Sequence, residues 1–102
     1  METQVKEKTN PTKHLPPWNV IIHNSDDHTY EYVMIMLHDI FGYEKEKCFK
    51  LADQVDKDGK AVVFTTHKEL AELKKEQIEA YGPDKLMKNC KGSLYATIEK
   101  AE

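Results

Sequence analysis

Residues 23–33 read HNSDDHTYEYV, and they place two histidines, His23 and His28, around two carboxylates, Asp26 and Asp27, with Asn24 and Ser25 beside them. Four kinds of chemistry use such a set. Two His and two Asp within six residues are of the right types for zinc or a similar ion, but the cluster has no i, i+4 His pair and no Cys, so the metal-free alternative is a solvated polar loop ahead of a helix. Spacing alone leaves an acid/base pair at Asp26 and Asp27 open. Asp, Ser and Asn are also helix-capping and turn residues. Finally, loop carboxylates and amides can hold an ammonium group while a neighbouring pocket takes an apolar side chain. Core packing explains the adjacent helix equally well.

Other catalytic signatures are missing. Neither Cys48 nor Cys90 has a neighbouring His, no Gly-x-Ser-x-Gly occurs, and the four glycines are too scattered for a phosphate loop. Cys48 falls on an apolar helical stripe and reads as a small buried hydrophobe. No cofactor is called for.

The elements that must position this stretch follow from periodicity. Residues 1–15 are polar, aperiodic and closed by Pro16-Pro17, which reads as a flexible tail before a core domain over 16–102. Trp18 to Ile22 is β-branched and strand-like. Tyr30, Val33, Met34, Leu37, Ile40 and Phe41 fall at helical spacing, with Thr29 as cap and Gly42 as stop. A second helix from near Glu44 carries Cys48, Leu51, Ala52 and Val55 and ends at Asp58-Gly59. "KAVVFT", 60–65, reads as a second strand. Thr66 with Glu69 three later is a capping-box pattern, and the helix it opens is expected to turn Leu70, Leu73, Gln77, Ile78 and Tyr81 inward until Gly82-Pro83. "SLYATIE", 93–99, alternates as a third strand. The order βααβαβ implies an α+β fold: a two-layer sandwich, three antiparallel strands with three helices on one face.

Composition narrows the function classes. Apolar residues are 39% of the chain and charged residues 32%, with a net charge of −3. That balance argues against broad nucleic-acid binding, which needs Lys and Arg on phosphates. No apolar run approaches the roughly 20 residues that span a bilayer, and Met1 to Lys13 lacks a signal-peptide core. Two distant cysteines argue against a disulfide framework, so a reducing, cytoplasmic setting is expected. Nothing demands more than a monomer.

"WNVIIHNSDD", "EYVMIMLHDIFGY", "DGKAVVFTTHKELAELKKEQIEAYG" and "LYATIEKA" together resemble the ClpS family, bacterial adaptors of the Clp protease, over roughly residues 16 to 101. The resemblance implies the fold derived above and a protein that is not an enzyme. It implies recognition of N-degrons with a bulky hydrophobic first residue, delivery to a Clp-family AAA+ ATPase, and a role for residues 1–15 in delivery. The family asparagine that bonds the substrate α-amino group falls on Asn24. The acidic residue after it falls on Ser25, followed by Asp26 and Asp27. The family's second amine-binding group, a histidine, falls on Asp56. The two pocket-walling methionines fall on Tyr30 and Ala52, and Ile22, Val33, Val55 and Leu94 match apolar pocket positions. The ATPase-facing pair falls on Glu69 and Lys74. These departures leave a second expectation, a diverged ClpS-like domain that keeps the ATPase contact and reads another ligand.

Overall fold

The computed structural model describes residues 15–25, 28–85 and 92–101. The expected tail lies outside the described residues except for Leu15, as do Asp26, Asp27 and Cys90. The element order is β1 (Trp18–His23), α1 (Tyr30–Phe41), α2 (Lys45–Asp58), β2 (Lys60–Thr66), α3 (Lys68–Glu79) and β3 (Ala96–Lys100). The three strands form one antiparallel sheet in the order β2-β1-β3. The chain is therefore the α+β sandwich that periodicity predicts. α3 lies on β1 and β3, α2 lies on β2, and α1 packs on α2 and α3.

β1 is the central strand, and its sequence fits that place. Val20, Ile21 and Ile22 are all buried, and Val20 and Ile22 join the core cluster. β2 is an edge strand and alternates instead, with Ala61 and Val63 buried and Val62 exposed. The β1–β2 register slips between Val20 and Ile21, a bulge that leaves Val63 as the extra residue.

The core joins Val20 and Ile22 to Val33, Met36 and Leu37 of α1, Cys48, Ala52 and Val55 of α2, Ala71 and Ile78 of α3, and Leu94 and Ala96. Each large side chain buried here contributes about 1.5–3 kcal/mol of transfer free energy. Thr29 caps α1, its side chain accepting from the Tyr32 backbone N–H, and Gly42 ends the helix in the left-handed region. Gly59 ends α2 the same way, at φ 86.

Two boundaries and one buried face differ from the sequence reading. Thr66 does not cap α3. It pairs with Trp18 at the end of β2, and His67 takes the cap position, its Nδ1 accepting from Leu70 N–H at 3.4 Å. Sheet pairing claimed the threonine before the helix began. The buried face of α3 differs as well. Ala71 and Ile78 are buried, while Leu73 is 47% exposed and Gln77 is on the surface. Strand pairing in β3 begins at Ala96 rather than Ser93, although Leu94 before it is still only 2% exposed.

Candidate functional site

β1, α1 and the end of α2 meet at one point on the surface. The chain leaves β1 through His23, whose backbone N–H donates to the Tyr95 carbonyl at 3.1 Å, and whose ring Nε2 lies 2.8 Å from Thr97 Oγ1. The next backbone N–H, of Asn24, donates to the Gly59 carbonyl at 2.8 Å. This bond fixes the start of the loop against the turn that ends α2. Asn24 and Asp56 come to one rim for that reason.

The far end of the loop is fastened from another direction. The Thr29 backbone N–H donates to Asp84 Oδ2 at 2.6 Å, and Asp84 is the buried charged residue among those described. His28 Nε2 lies 2.8 Å from the Gly92 carbonyl. One turn into α1, the Tyr32 hydroxyl donates to the Gly82 carbonyl at 2.6 Å. The segment after α3 thus holds the entrance of α1. Sequence reading missed Asp84, Tyr32 and Gly92, and no signal in the sequence marks them. A carboxylate after Gly-Pro looks like a surface turn until the chain is folded.

The site has a polar rim and an apolar interior. Asn24, Ser25, His28, Thr29, Tyr30, Val33, Ala52, Val55, Asp56 and Leu94 line a single pocket. Eight expected residues therefore converge: Asn24, Ser25, Tyr30, Val33, Ala52, Val55, Asp56 and Leu94. Ile22 does not line it. It is fully buried in the same cluster as Val33 and Val55. The pocket is small, with about 20 Å³ of free space, room for about one water molecule.

Tyr30, one of the lining residues, ties α1 to α2 at this pocket. Its hydroxyl, at the first residue of α1, lies 2.8 Å from Asp53 Oδ1 and 3.1 Å from Asp56 Oδ2 on α2. A phenol has one hydrogen, so the two carboxylates share it. The ring lies 5.8 Å from that of Phe49. The Asp53 hydrogen bond is the largest of several effects that push the Tyr30 phenol well above its ordinary range. Asp53 is in turn held below the usual carboxylate range, first by Lys57, at 3.0 Å, and then by Tyr30.

Glu69 and Lys74 lie on α3, away from this pocket. Glu69 is exposed in the first turn. Lys74 is partly buried, its Nζ donating to the Ile40 carbonyl at 2.9 Å and lying 5.4 Å from the Phe41 ring centroid. It caps the end of α1 from the neighbouring helix. Cys48 is buried, its thiol pushed up by burial and its Sγ donating to the Tyr43 carbonyl, so its role is packing. Among the described residues no three His, Cys, Asp or Glu side chains assemble into a metal-binding group, and no helix is long and apolar enough to cross a membrane. A larger groove of about 550 Å³ runs along the outer side of α1 and α2, between Glu31, Met34, Ile35, His38, Lys45 and Cys48, and shares no residue with the Asn24 pocket.

Comparison with known proteins gives a consistent result. The family described as ATP-dependent Clp protease adaptor protein ClpS matches residues 13–87. The ATP-dependent Clp protease adapter protein ClpS of Streptomyces coelicolor is 35% identical over 66 residues, covering 65% of this chain and 69% of the relative. The protein of the same name from Pectobacterium carotovorum is 31% identical over 96 residues, covering 94% of this chain and 83% of the relative. The solved structure of Agrobacterium tumefaciens ClpS2 bound to L-phenylalaninamide superposes with a TM-score of 0.73 at 22% identity, over 84% of this chain and 98% of that one.

Proposed function

The chain belongs to the ClpS family, adaptors of the ATP-dependent Clp protease and not enzymes, and we propose that it binds the free N-terminus of polypeptides that begin with a bulky hydrophobic residue. In this reading it hands them to a Clp-family AAA+ ATPase in the cytoplasm, as a monomer. The observation that carries it is the convergence of Asn24, Ser25 and Asp56 on the rim of a pocket walled by Tyr30, Val33, Ala52, Val55 and Leu94.

The chemistry of the rim suits an α-ammonium. Such a group has a pKa near 7.7 to 8 and is largely cationic at neutral pH. It offers three N–H donors, and the Asn24 side-chain carbonyl and the Asp56 carboxylate are acceptors. The ammonium donor already makes either hydrogen bond charge-assisted, and a carboxylate acceptor adds the attraction of an ion pair. The first side chain then has an apolar wall to bury against, contributing about 1.5–3 kcal/mol if it is large. A structural neighbour carries L-phenylalaninamide, which combines a free α-amine with one bulky apolar side chain. Ala52 and Tyr30 shape the pocket so that preference within the bulky class is this chain's own.

Glu69 and Lys74 belong to the proposed ATPase-facing surface, and residues 1–15 to delivery. Both assignments rest on the family resemblance. Lys74 also has an internal role at the end of α1. Asp26 is proposed as a further carboxylate at the amine.

A second reading, a ClpS-like domain that keeps the ATPase contact and takes a different ligand, draws on one observation. Asp56 is already engaged by the Tyr30 hydroxyl. A series of free-amine peptides differing only in the first residue separates the two. The first reading expects Leu-, Phe-, Tyr-, Trp- or Ile-led peptides to bind well above Ala- or Glu-led ones. Equal affinity across the series contradicts it.

A further inference from the structure

We propose that Tyr30 is a latch on the pocket, released when the ligand's ammonium takes its place on Asp56. The inference deepens the N-terminal recognition proposed above and rests on it.

The first observation is volume. With about 20 Å³ free, the pocket admits no large side chain unless a wall moves. Among its lining residues, Val33, Ala52, Val55 and Leu94 are fixed in the core. Tyr30 is different. It sits at the first position of α1, is only partly buried, and is held across the gap by its hydroxyl.

The second observation is where that hydroxyl goes. Phe49, Asp53 and Asp56 lie at i, i+4 and i+7 on α2, and Tyr30 touches all three. Ala52, on the same helix, lines the pocket with Tyr30. The bond to Asp53 is the shorter, and Asp53 is further anchored by Lys57. The contact to Asp56 is the longer, and Asp56 is exposed. Asp56 is therefore the partner that Tyr30 gives up first.

An ammonium outcompetes the phenol there. It brings a full positive charge and three donors, against one neutral hydrogen shared between two carboxylates. Once Asp56 turns to the ammonium, one of the two bonds holding the ring is gone, and an incoming side chain can displace it. A small first residue supplies the ammonium but not the apolar contacts that replace those of the ring. The latch thus converts the size of the first residue into selectivity, because only a large one recovers what opening costs. It also makes opening a step in association.

The test is the association rate and affinity of a labelled, free-amine Phe-led peptide for the full chain, for Tyr30→Phe and for Asp53→Ala. Tyr30→Phe keeps the ring and removes the hydroxyl. Asp53→Ala removes the stronger anchor from a residue that the proposed ligand does not touch. Both variants are expected to associate faster, and to bind about tenfold more tightly, the worth of one hydrogen bond to a charged group. A role for Tyr30 limited to packing moves stability and leaves the association rate where it was. Unchanged or weakened binding in either variant, while the full chain still prefers a free over an acetylated N-terminus, overturns the latch and leaves the N-terminal reading intact. Loss of that preference in the full chain overturns both.

Discussion

Asn24 has two roles on different atoms. Its backbone N–H belongs to the fold, bonded to Gly59 at 2.8 Å, while its side chain is exposed at the pocket rim. Asn24→Ala keeps the first and removes the second. Affinity for a free-amine peptide is expected to fall about tenfold, the worth of one hydrogen bond to a charged group, with no change in thermal midpoint. A midpoint lowered by several degrees would make Asn24 a turn residue instead. Asp56 and Tyr30 were nameable from the family resemblance as departures, a carboxylate and a phenol in place of a histidine and a methionine. Their contact with each other was not. It depends also on Asp53 and on Lys57, which holds Asp53 from one turn further along α2, an arrangement that runs from residue 30 to residue 57 and has no periodic signature.

At the scale of elements, the site depends on how α1 is held. Its entrance is tied to the buried Asp84. Asp84→Ala leaves the Thr29 N–H without this partner and is expected to destabilise the chain by about 1–3 kcal/mol in denaturant titrations, weakening peptide binding with it. A cost near zero would mean that the entrance of α1 is fixed elsewhere. The outer side of α1 is pinned to the end of α3 by Tyr81, whose hydroxyl donates to Asp39. Burial first, and then that bond, push the Tyr81 phenol from 10.0 to about 12. The fold therefore favours the protonated phenol, so this contribution is complete below pH 10 and is lost as pH rises toward about 12. Wild type is expected to lose more stability than Tyr81→Phe over that window, as read by urea midpoints at successive pH values. Parallel curves would contradict it. Element type and order were legible because amphipathic runs of 12 and 14 residues and clear glycine stops leave little choice. The capping residue of α3 was not, because a local capping box and a strand register compete for Thr66, and only the sheet decides.

At the scale of the whole molecule, a three-stranded sheet and three helices place a polar loop, the first turn of α1 and the last turn of α2 around one pocket. The α+β class follows from element order alone. The choice of β1 as the central strand is consistent with its three consecutive apolar residues, but it needed the pairing to settle it, since the edge strand β2 also carries a continuous apolar run, Ala61 to Phe64. The pocket's closure was not legible at all. It is a property of packing volume, which spacing does not encode. What the molecule does depends on whether that pocket grips a charged chain terminus. The most direct measurement compares one Phe-led peptide with its N-acetylated twin, by titration against the full chain at neutral pH. Acetylation removes the positive charge and two of the three donors while leaving the side chain in place. The account expects affinity to fall by at least about tenfold to a hundredfold, the range for losing a hydrogen bond to a charged partner. Equal binding of the two peptides would contradict it.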